Sequence, residues 1–181
     1  MNEHKERQMA DRIITQADID NDGYFKENDL IVDGRITVAL DGWLCVRGRI
    51  EAGKGIEASC GIEAGKGIKA GCGIEAGDGI TAGKGIEAGC GIQAQLGIVA
   101  KTISSKLRIM AGLCYWRTPT NAECEIRAKL LGGTVFVGTL VEPKEEPAPV
   151  AKKITRAEAD KLVGDMKNLA ALAEKLAASI T

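Results

Sequence analysis

A run of alternating oxygen-bearing side chains near the N-terminus is the segment best suited to metal chemistry. Asp18, Asp20 and Asp22 alternate along the sequence DIDNDG, and Gly23 follows where such a segment would turn sharply. Alternate carboxylates of this kind can wrap around a hard cation such as calcium. The spacing therefore makes this segment a candidate calcium loop, and its last ligand position falls on Asp29.

Locally the segment resembles the EF-hand calcium loop, with two departures. Asp29 occupies the position where that family has a longer, bidentate Glu, so the grip on calcium would be weaker. The residues after it, Leu30-Ile31-Val32, indicate a strand instead of the exiting helix. We favour a polar turn that leads into the first strand, and we expect no bound cofactor.

Six cysteines and one histidine are the other reactive side chains. The chain has no CxxC pair and its histidine is His4, so neither a zinc site nor histidine-based catalysis is expected. No secretory signal and no long apolar segment is apparent, which predicts free thiols and a cytoplasmic location. Three cysteines near lysines are either mildly activated, exposed thiols or small corner residues: Cys60, Cys72 and Cys90.

A glycine-rich match to the dinucleotide-binding fingerprint occurs at Gly53-Lys54-Gly55-Ile56-Glu57-Ala58. That fingerprint works only when a helix N-terminus follows the glycines and holds the pyrophosphate. Here the match recurs every few residues and no helix pattern follows. We interpret it as a by-product of a repeat, and we predict that the protein is not an enzyme and has no catalytic residues.

The repeat itself governs the fold. From Ile50 to Ala100 the chain repeats every six residues in units such as IEAGKG and IEAGCG. Ile stands at every sixth position from 50 to 98, and Ala stands two residues after each Ile. A short, fixed period of this kind is typical of a β-solenoid. Side chains alternate along a strand, so Ile and Ala should point inward and the residue between them outward.

The number of sides per coil follows from the charges. Twelve residues per coil would stack Glu51, Glu63, Glu75 and Glu87 about 4.8 Å apart, and like charges at that spacing repel. Eighteen residues per coil instead stacks Glu51, Lys69 and Glu87, and separately Glu57, Glu75 and Gln93. We therefore predict an all-β, three-sided solenoid of roughly six coils with 18 residues per coil, followed by an amphipathic helix.

This pattern resembles two β-helical families in architecture: the hexapeptide-repeat helices of acyltransferases and the bactofilins. Bactofilins have an alternating, glycine-punctuated β core between polar or Pro-containing ends, and they polymerise end to end. The resemblance covers about 110 residues, implies a structural role and transfers no functional residue. Hexapeptide proteins place a small residue four positions after the aliphatic one, whereas here Ala52 precedes Ile56, so the handedness stays open.

Four segments are expected along the chain. Residues 1–29 form a polar leader, 30–142 the solenoid with its capping segments, 143–153 a Pro- and charge-rich linker, and 154–181 the helix. Within the solenoid, Gly132-Gly133 indicates a hairpin turn. Tyr115 and Trp116 form either a cap over the last coil, which we favour, or an aromatic recognition patch.

The C-terminal helix carries an apolar seam with spacings typical of a short coiled coil. Such a stripe must pack on the solenoid, on a second copy or on a partner. Its residues are Leu162, Met166, Leu169, Ala173, Leu176 and Ile180.

Composition restricts the function. With a net charge of -1, neither nucleic acid nor a membrane is expected as the main partner. Ice-binding solenoids typically present flat rows of stacked Thr side chains on one face. In the perfect repeat only Thr81 occupies an outward position between Ile and Ala, so ice binding is disfavoured. We expect a self-assembling or structural scaffold, or alternatively an inhibitor or adaptor, of the kind that phages and mobile elements encode, that binds a partner protein.

Overall fold

The fold was analysed in a computed structural model that describes residues 10–143. Within this part of the chain almost every ordered segment is a strand, and two 3-10 turns, Gln16–Asp18 and Asn121–Cys124, are the helical elements. The predicted C-terminal helix and nearly all of the predicted linker lie outside the described residues.

Fifteen strands, all paired in parallel, form one continuous sheet in the described residues. Their bounds are β1 Arg12–Ile14, β2 Leu30–Val32, β3 Ile36–Val38, β4 Leu44–Val46, β5 Ile50–Ala52, β6 Ile56–Ala58, β7 Ile62–Ala64, β8 Ile68–Ala70, β9 Ile74–Ala76, β10 Ile80–Ala82, β11 Gly85–Ala88, β12 Ile92–Ala94, β13 Ile98–Met110, β14 Glu125–Val137 and β15 Thr139–Val141.

The sheet winds into a three-sided coil. Face 1 stacks β1, β3, β6, β9 and β12, face 2 stacks β2, β5, β8 and β11, and face 3 stacks β4, β7 and β10. The long strands β13 and β14 each run across all three faces, and β15 lies on face 3 above β14. Ile50 is in register with Ile68, and Ile68 with Ile86, so one coil takes 18 residues. The predicted three-sided β-solenoid of about six turns is confirmed.

Aliphatic side chains fill the interior as the alternation predicts. Every Ile and every Ala of the repeat is buried, and the residue between them faces outward. Stacking one coil on the next at about 4.8 Å leaves a narrow core that Ile and Ala can fill without voids. Phe25 is the buried aromatic side chain of the described residues, and its amide donates a hydrogen bond to the Cys45 carbonyl near the N-terminal end.

Glycine is required at the corners because neighbouring coils approach closely there. A Cβ atom on Gly71 would lie 2.0 Å from the carbonyl oxygen of Gly53, and one on Gly89 would lie 1.9 Å from that of Gly71. Positive φ does not explain these corners, since in the described residues it occurs at Gly23, Gly112, Gly133 and Gly138, all outside the perfect repeat. The corner glycines therefore serve close packing between coils.

The solenoid begins earlier than the sequence indicated. Strand β1 pairs in parallel with β3, with Arg12 opposite Ile36, and Tyr24 forms a parallel bridge with Cys45. Residues 12–29 thus form two sides of a first coil, which contains an inserted turn and is completed by β2. The predicted polar leader of 1–29 is wrong from residue 12 onward. The signal was missed because β1 holds only three residues inside a charged segment.

The hairpin predicted at Gly132-Gly133 is also wrong. Strand β14 continues through both glycines and pairs in parallel with β13, with a register shift between Ser104 and Arg108. Gly133 has φ +95°, a conformation that favours glycine. The glycine pair bends the chain around the coil instead of reversing its direction.

Candidate functional site

The outward-facing side chains change character along the solenoid. On face 2, Lys69 lies between Glu51 and Glu87 as the charge argument predicted, and its Nζ is 3.3 Å from Glu87 Oε2. On face 1, Gln93 Nε2 donates to Glu75 Oε1 at 3.4 Å. Exposed pairs such as these contribute little stability individually, but they make the middle of the solenoid polar on these faces.

Both ends, in contrast, present apolar side chains. At the N-terminal end, the outward residue of β1 is Ile13, which is 63% exposed, and that of β2 is Ile31. At the C-terminal end, Leu131 and Phe136 of β14 are 63% and 61% exposed. The Arg108 guanidinium lies over the Phe136 ring, 4.6 Å from its centroid. Clusters of exposed apolar side chains often mark surfaces that contact another molecule.

The end strands also have open edges within the described residues. Strands β1 and β2 each pair with one neighbour, and β15 covers only Glu125–Arg127 of β14. The part of β14 from Leu130 to Val137 therefore has β13 on one side and no described strand on the other. An uncovered strand edge is a template for pairing with another chain.

Residues 111–124, which we call the aromatic loop, connect β13 to β14 and display two rings. Tyr115 is 84% exposed and Trp116 is 49% exposed. The rings pack edge to face, with centroids 5.3 Å apart and an interplanar angle of 85°. At these exposures the two rings do not form the buried cap that we favoured from the sequence.

A local hydrogen-bond network holds the aromatic loop. The Arg117 guanidinium donates two hydrogen bonds to Glu123, at 2.8 Å and 2.5 Å, and the Thr120 amide and hydroxyl donate to the same carboxylate. Arg117 first, and then the Thr120 amide, lower the pKa of Glu123 to about 2. The loop therefore presents its aromatic rings from a fixed base.

One corner of the coil is a column of lysines, which we call the lysine corner: Lys66, Lys84 and Lys101. The Lys84 amide donates to the Lys66 carbonyl at 2.8 Å, and the Lys101 amide donates to the Lys84 carbonyl at 2.6 Å. None of the three ammonium groups makes an ion pair with the part of the chain that the structure describes. The column is a local strip of uncompensated positive charge.

The aspartates of the candidate calcium loop are engaged elsewhere. Asp18 accepts from the Thr15 amide and pairs with Arg12, and Asp20 accepts from the Asp22 and Tyr24 amides. The Arg47 guanidinium lies 2.8 Å from Asp20 and 3.6 Å from Asp22. Asp29 accepts from the Arg49 amide at 2.8 Å.

The contacts of Asp18 and Asp20 lower the pKa values of these two carboxyl groups and so favour their ionised forms. The Thr15 amide is the main cause of a lowered pKa at Asp18, and Arg47 is the main cause at Asp20. Within residues 10–143, no three His, Cys, Asp or Glu side chains are grouped so that they could hold a metal ion. The structure does not assemble Asp18, Asp20, Asp22 and Asp29 into one ligand set.

The thiols divide into two groups. Cys72 and Cys90 are exposed, while Cys45, Cys60, Cys114 and Cys124 are partly buried, and all six are free. Burial first, and then Asp78, raise the pKa of the Cys60 thiol, so the activation considered for it is wrong. The nearest lysine in the coil stack of Cys72 is Lys54, whose carbonyl accepts from the Cys72 amide.

The glycine-rich match at 53–58 has the geometry expected of the repeat. Strand β5 ends at Ala52 and β6 begins at Ile56, so the glycines form a coil corner between two strands. No helix N-terminus follows, and the requirement of the dinucleotide fingerprint is not met there.

An open groove of about 930 Å³ runs along face 1. Glu57, Glu75 and Gln93 lie along it, with Arg35 toward one end and Phe136 toward the other. The groove is therefore polar along most of its length, and exposed apolar residues such as Phe136 line one of its ends. It is a feature of the outer surface of the coil.

This chain resembles known proteins in its coil architecture only. No family model, curated protein or solved structure matches this chain. The solenoid is similar to bactofilins and hexapeptide-repeat proteins in its coiled parallel strands alone. Among the described residues, no helix is both long enough and apolar enough to cross a bilayer.

Proposed function

We propose that this β-solenoid is a non-enzymatic scaffold whose copies associate end to end. The observation that carries the proposal is the distribution of outward residues, which are polar on faces 1 and 2 in the middle coils and apolar at both ends. Open strand edges, as far as residues 10–143 show them, occur at the same two ends. A surface that contacts only water is not expected to carry clustered apolar residues, so their position at the two ends supports a contact there.

End-to-end association would use both features together. A strand of a second copy could extend the parallel ladder at the Leu130–Val137 edge, while its apolar side chains cover Leu131 and Phe136. The two ends of one chain differ, so a contact between opposite ends is head to tail, and it stays open when its rotation does not close a ring. Repetition of such a contact produces a filament, which fits a structural role.

Light scattering coupled to size exclusion tests this proposal on the full chain. The wild-type mass should rise with concentration, and the double variant Leu131→Glu/Phe136→Glu should remain a monomer, because two charges would be buried at the joint. Gln93→Lys is the matched control, since it changes charge on face 1 outside the end strand β14 and should assemble like the wild type. A wild-type monomer at every concentration would refute self-assembly.

A second candidate is binding of a partner protein through the aromatic loop. Tyr, Trp and Arg are the residue types that most often dominate protein interfaces, and Tyr115, Trp116 and Arg117 are consecutive on this loop. Their fixed base lowers the entropy lost on binding. This surface suits an inhibitor or adaptor that modulates its target.

The aromatic loop can be tested separately from the ends. A partner captured by the full chain should be lost from the variant Tyr115→Ala/Trp116→Ala and retained by Leu131→Glu/Phe136→Glu. The opposite pattern would assign the partner to the end of the solenoid. The seam at Leu162, Met166, Leu169, Leu176 and Ile180 lies outside the described residues and stays a prediction.

The free thiols and the outward threonines bear on the surroundings that we propose for the protein. All six cysteines are free, which supports a reducing, cytoplasmic location as part of the proposal. The outward positions of the described strands hold isolated threonines such as Thr37 and Thr81 instead of a Thr-rich rank. This arrangement gives no support to ice binding.

A further inference from the structure

Two exposed cysteines occupy the same corner of consecutive coils. The Cys72 amide donates to the Lys54 carbonyl and the Cys90 amide donates to the Cys72 carbonyl, both at 2.9 Å. The next residue in this stack is Leu107, whose amide donates to the Cys90 carbonyl. The backbones of the two cysteines are therefore stacked, although 18 residues of chain separate them.

We propose that Cys72 and Cys90 form a dithiol site that a disulfide oxidant closes into a bond between two coils. Stacked residues of neighbouring coils lie about 4.8 Å apart. Disulfides join residues whose Cα atoms are about 4.4–6.8 Å apart, so this pair meets the distance requirement. In the perfect repeat it is the one corner where cysteine follows cysteine in successive coils.

Access to the site is open. Both side chains are exposed, and both flanking positions of each cysteine are glycines, so no neighbouring side chain along the strand shields the sulfur. Below the pair, the Lys54 ammonium is engaged with Asp11 at 3.4 Å. The other four cysteines are partly buried, which makes them slower targets for a soluble oxidant.

The reaction with oxidised glutathione is balanced as follows. One thiolate attacks a glutathione sulfur, the glutathione S–S bond breaks, and a mixed disulfide forms as one glutathione thiolate leaves. The second protein thiolate then attacks the protein sulfur of the mixed disulfide and releases the other glutathione. Two protein thiols lose two electrons and two protons, and one glutathione disulfide gains them.

The closed bond would join coils one turn apart. Separation of these two coils at the corner would then require breaking a covalent bond as well as the sheet hydrogen bonds. Because the bond lies in the middle of the solenoid, away from its ends, it acts on coil opening independently of end-to-end association. An oxidising environment would thus make the solenoid more resistant to unfolding.

The test treats the reduced full chain with oxidised glutathione and follows it by mass spectrometry and thiol counting. We expect the loss of two hydrogen atoms, two fewer reactive thiols than the six of the reduced chain, and a cross-linked peptide pair containing Cys72 and Cys90. The melting temperature should rise on oxidation and return after reduction. Cys45→Ser is the control and should close as the wild type does.

Register provides a stricter test. In the Cys90→Ser background no bond should form, and adding Lys54→Cys should restore one, because residues 54 and 72 are stacked in the same way. Adding Leu96→Cys instead should restore nothing, since residue 96 stacks on residue 78 at another corner. Stable glutathione adducts on the wild type, or bonds that involve the other cysteines equally, would overturn the proposal.

Discussion

Replacing Ile74 with Asp is the sharpest test of the inward assignment. Ile74 is 2% exposed and lies in register between Ile56 and Ile92, both buried. Its Cβ therefore points into a column of aliphatic side chains. Both neighbours of Ile74 in that column are aliphatic, and Arg12, the donor at the end of the column, lies three strands away, so a carboxylate at position 74 would have no partner.

The magnitude can be built from two contributions. Truncating a buried Ile costs about 2–5 kcal/mol. Burying an unpaired carboxylate adds several kcal/mol more, unless it takes up a proton. The sum exceeds about 5 kcal/mol, which is comparable to the whole unfolding free energy of a domain. Each coil contacts only the adjacent coils, so the Ile74→Asp substitution should divide the solenoid into two less stable parts.

Thermal and urea unfolding followed by circular dichroism provide the assay. Ile74→Asp should lose the single cooperative transition, and Ile74→Val should lower the unfolding free energy by only about 0.5–1.5 kcal/mol. Burial raises the pKa of the introduced carboxyl, so the deficit should shrink as pH falls and the neutral form is populated. Glu75→Asp, its outward neighbour, is the control. An unchanged midpoint for Ile74→Asp would refute the inward assignment.

Three further predictions concern corners and the aromatic loop. Lys84→Glu should raise the unfolding free energy by about 0.4–2 kcal/mol in low salt, because it places opposite charges beside Lys66 and Lys101, and added salt should reduce the gain. Gly71→Ala should lower the melting temperature, since the added Cβ would lie 2.0 Å from the Gly53 carbonyl; an unchanged value would contradict the close approach. The hydrogen bonds to Glu123 should persist at neutral pH and be lost as pH falls through about 2, which the Thr120 amide shift can report by NMR. Glu123→Gln should abolish that titration, and a midpoint near 4.5, the ordinary value, would contradict the network.

The middle of the solenoid could be predicted from sequence because one rule is repeated there. In eight of the nine units a polar residue stands between Ile and Ala, and the stack of Glu51, Lys69 and Glu87 favours the 18-residue coil. Nine consistent units disfavour any other register, since a slip of one residue would bury the charged residues that stand between Ile and Ala. Local preference and overall fold agree at each position.

The margins could not be predicted because the rule is broken there. Strand β1 is a single three-residue strand, and the coil from Arg12 to Ile36 contains an inserted turn that shifts the period. Gly132-Gly133 fits a hairpin as well as a corner, and only its pairing with β13 decides between them. The aromatic loop likewise does not follow the six-residue period. The alternation of inward and outward positions therefore could not show that Tyr115 is exposed.

The division between regular middle and irregular margins bears on function. In the middle coils the outward residues of faces 1 and 2 are polar columns that offer a partner few apolar contacts. Exposed Leu131, Phe136 and Tyr115 all occur where the repeat has ended. If contacts reside there, lengthening the middle by one 18-residue coil should preserve assembly and partner binding. A solenoid that recognised its partner along the repeat would instead bind in proportion to the number of coils. Comparing binding by such a variant with that of the wild type would therefore separate a spacer from a binding surface.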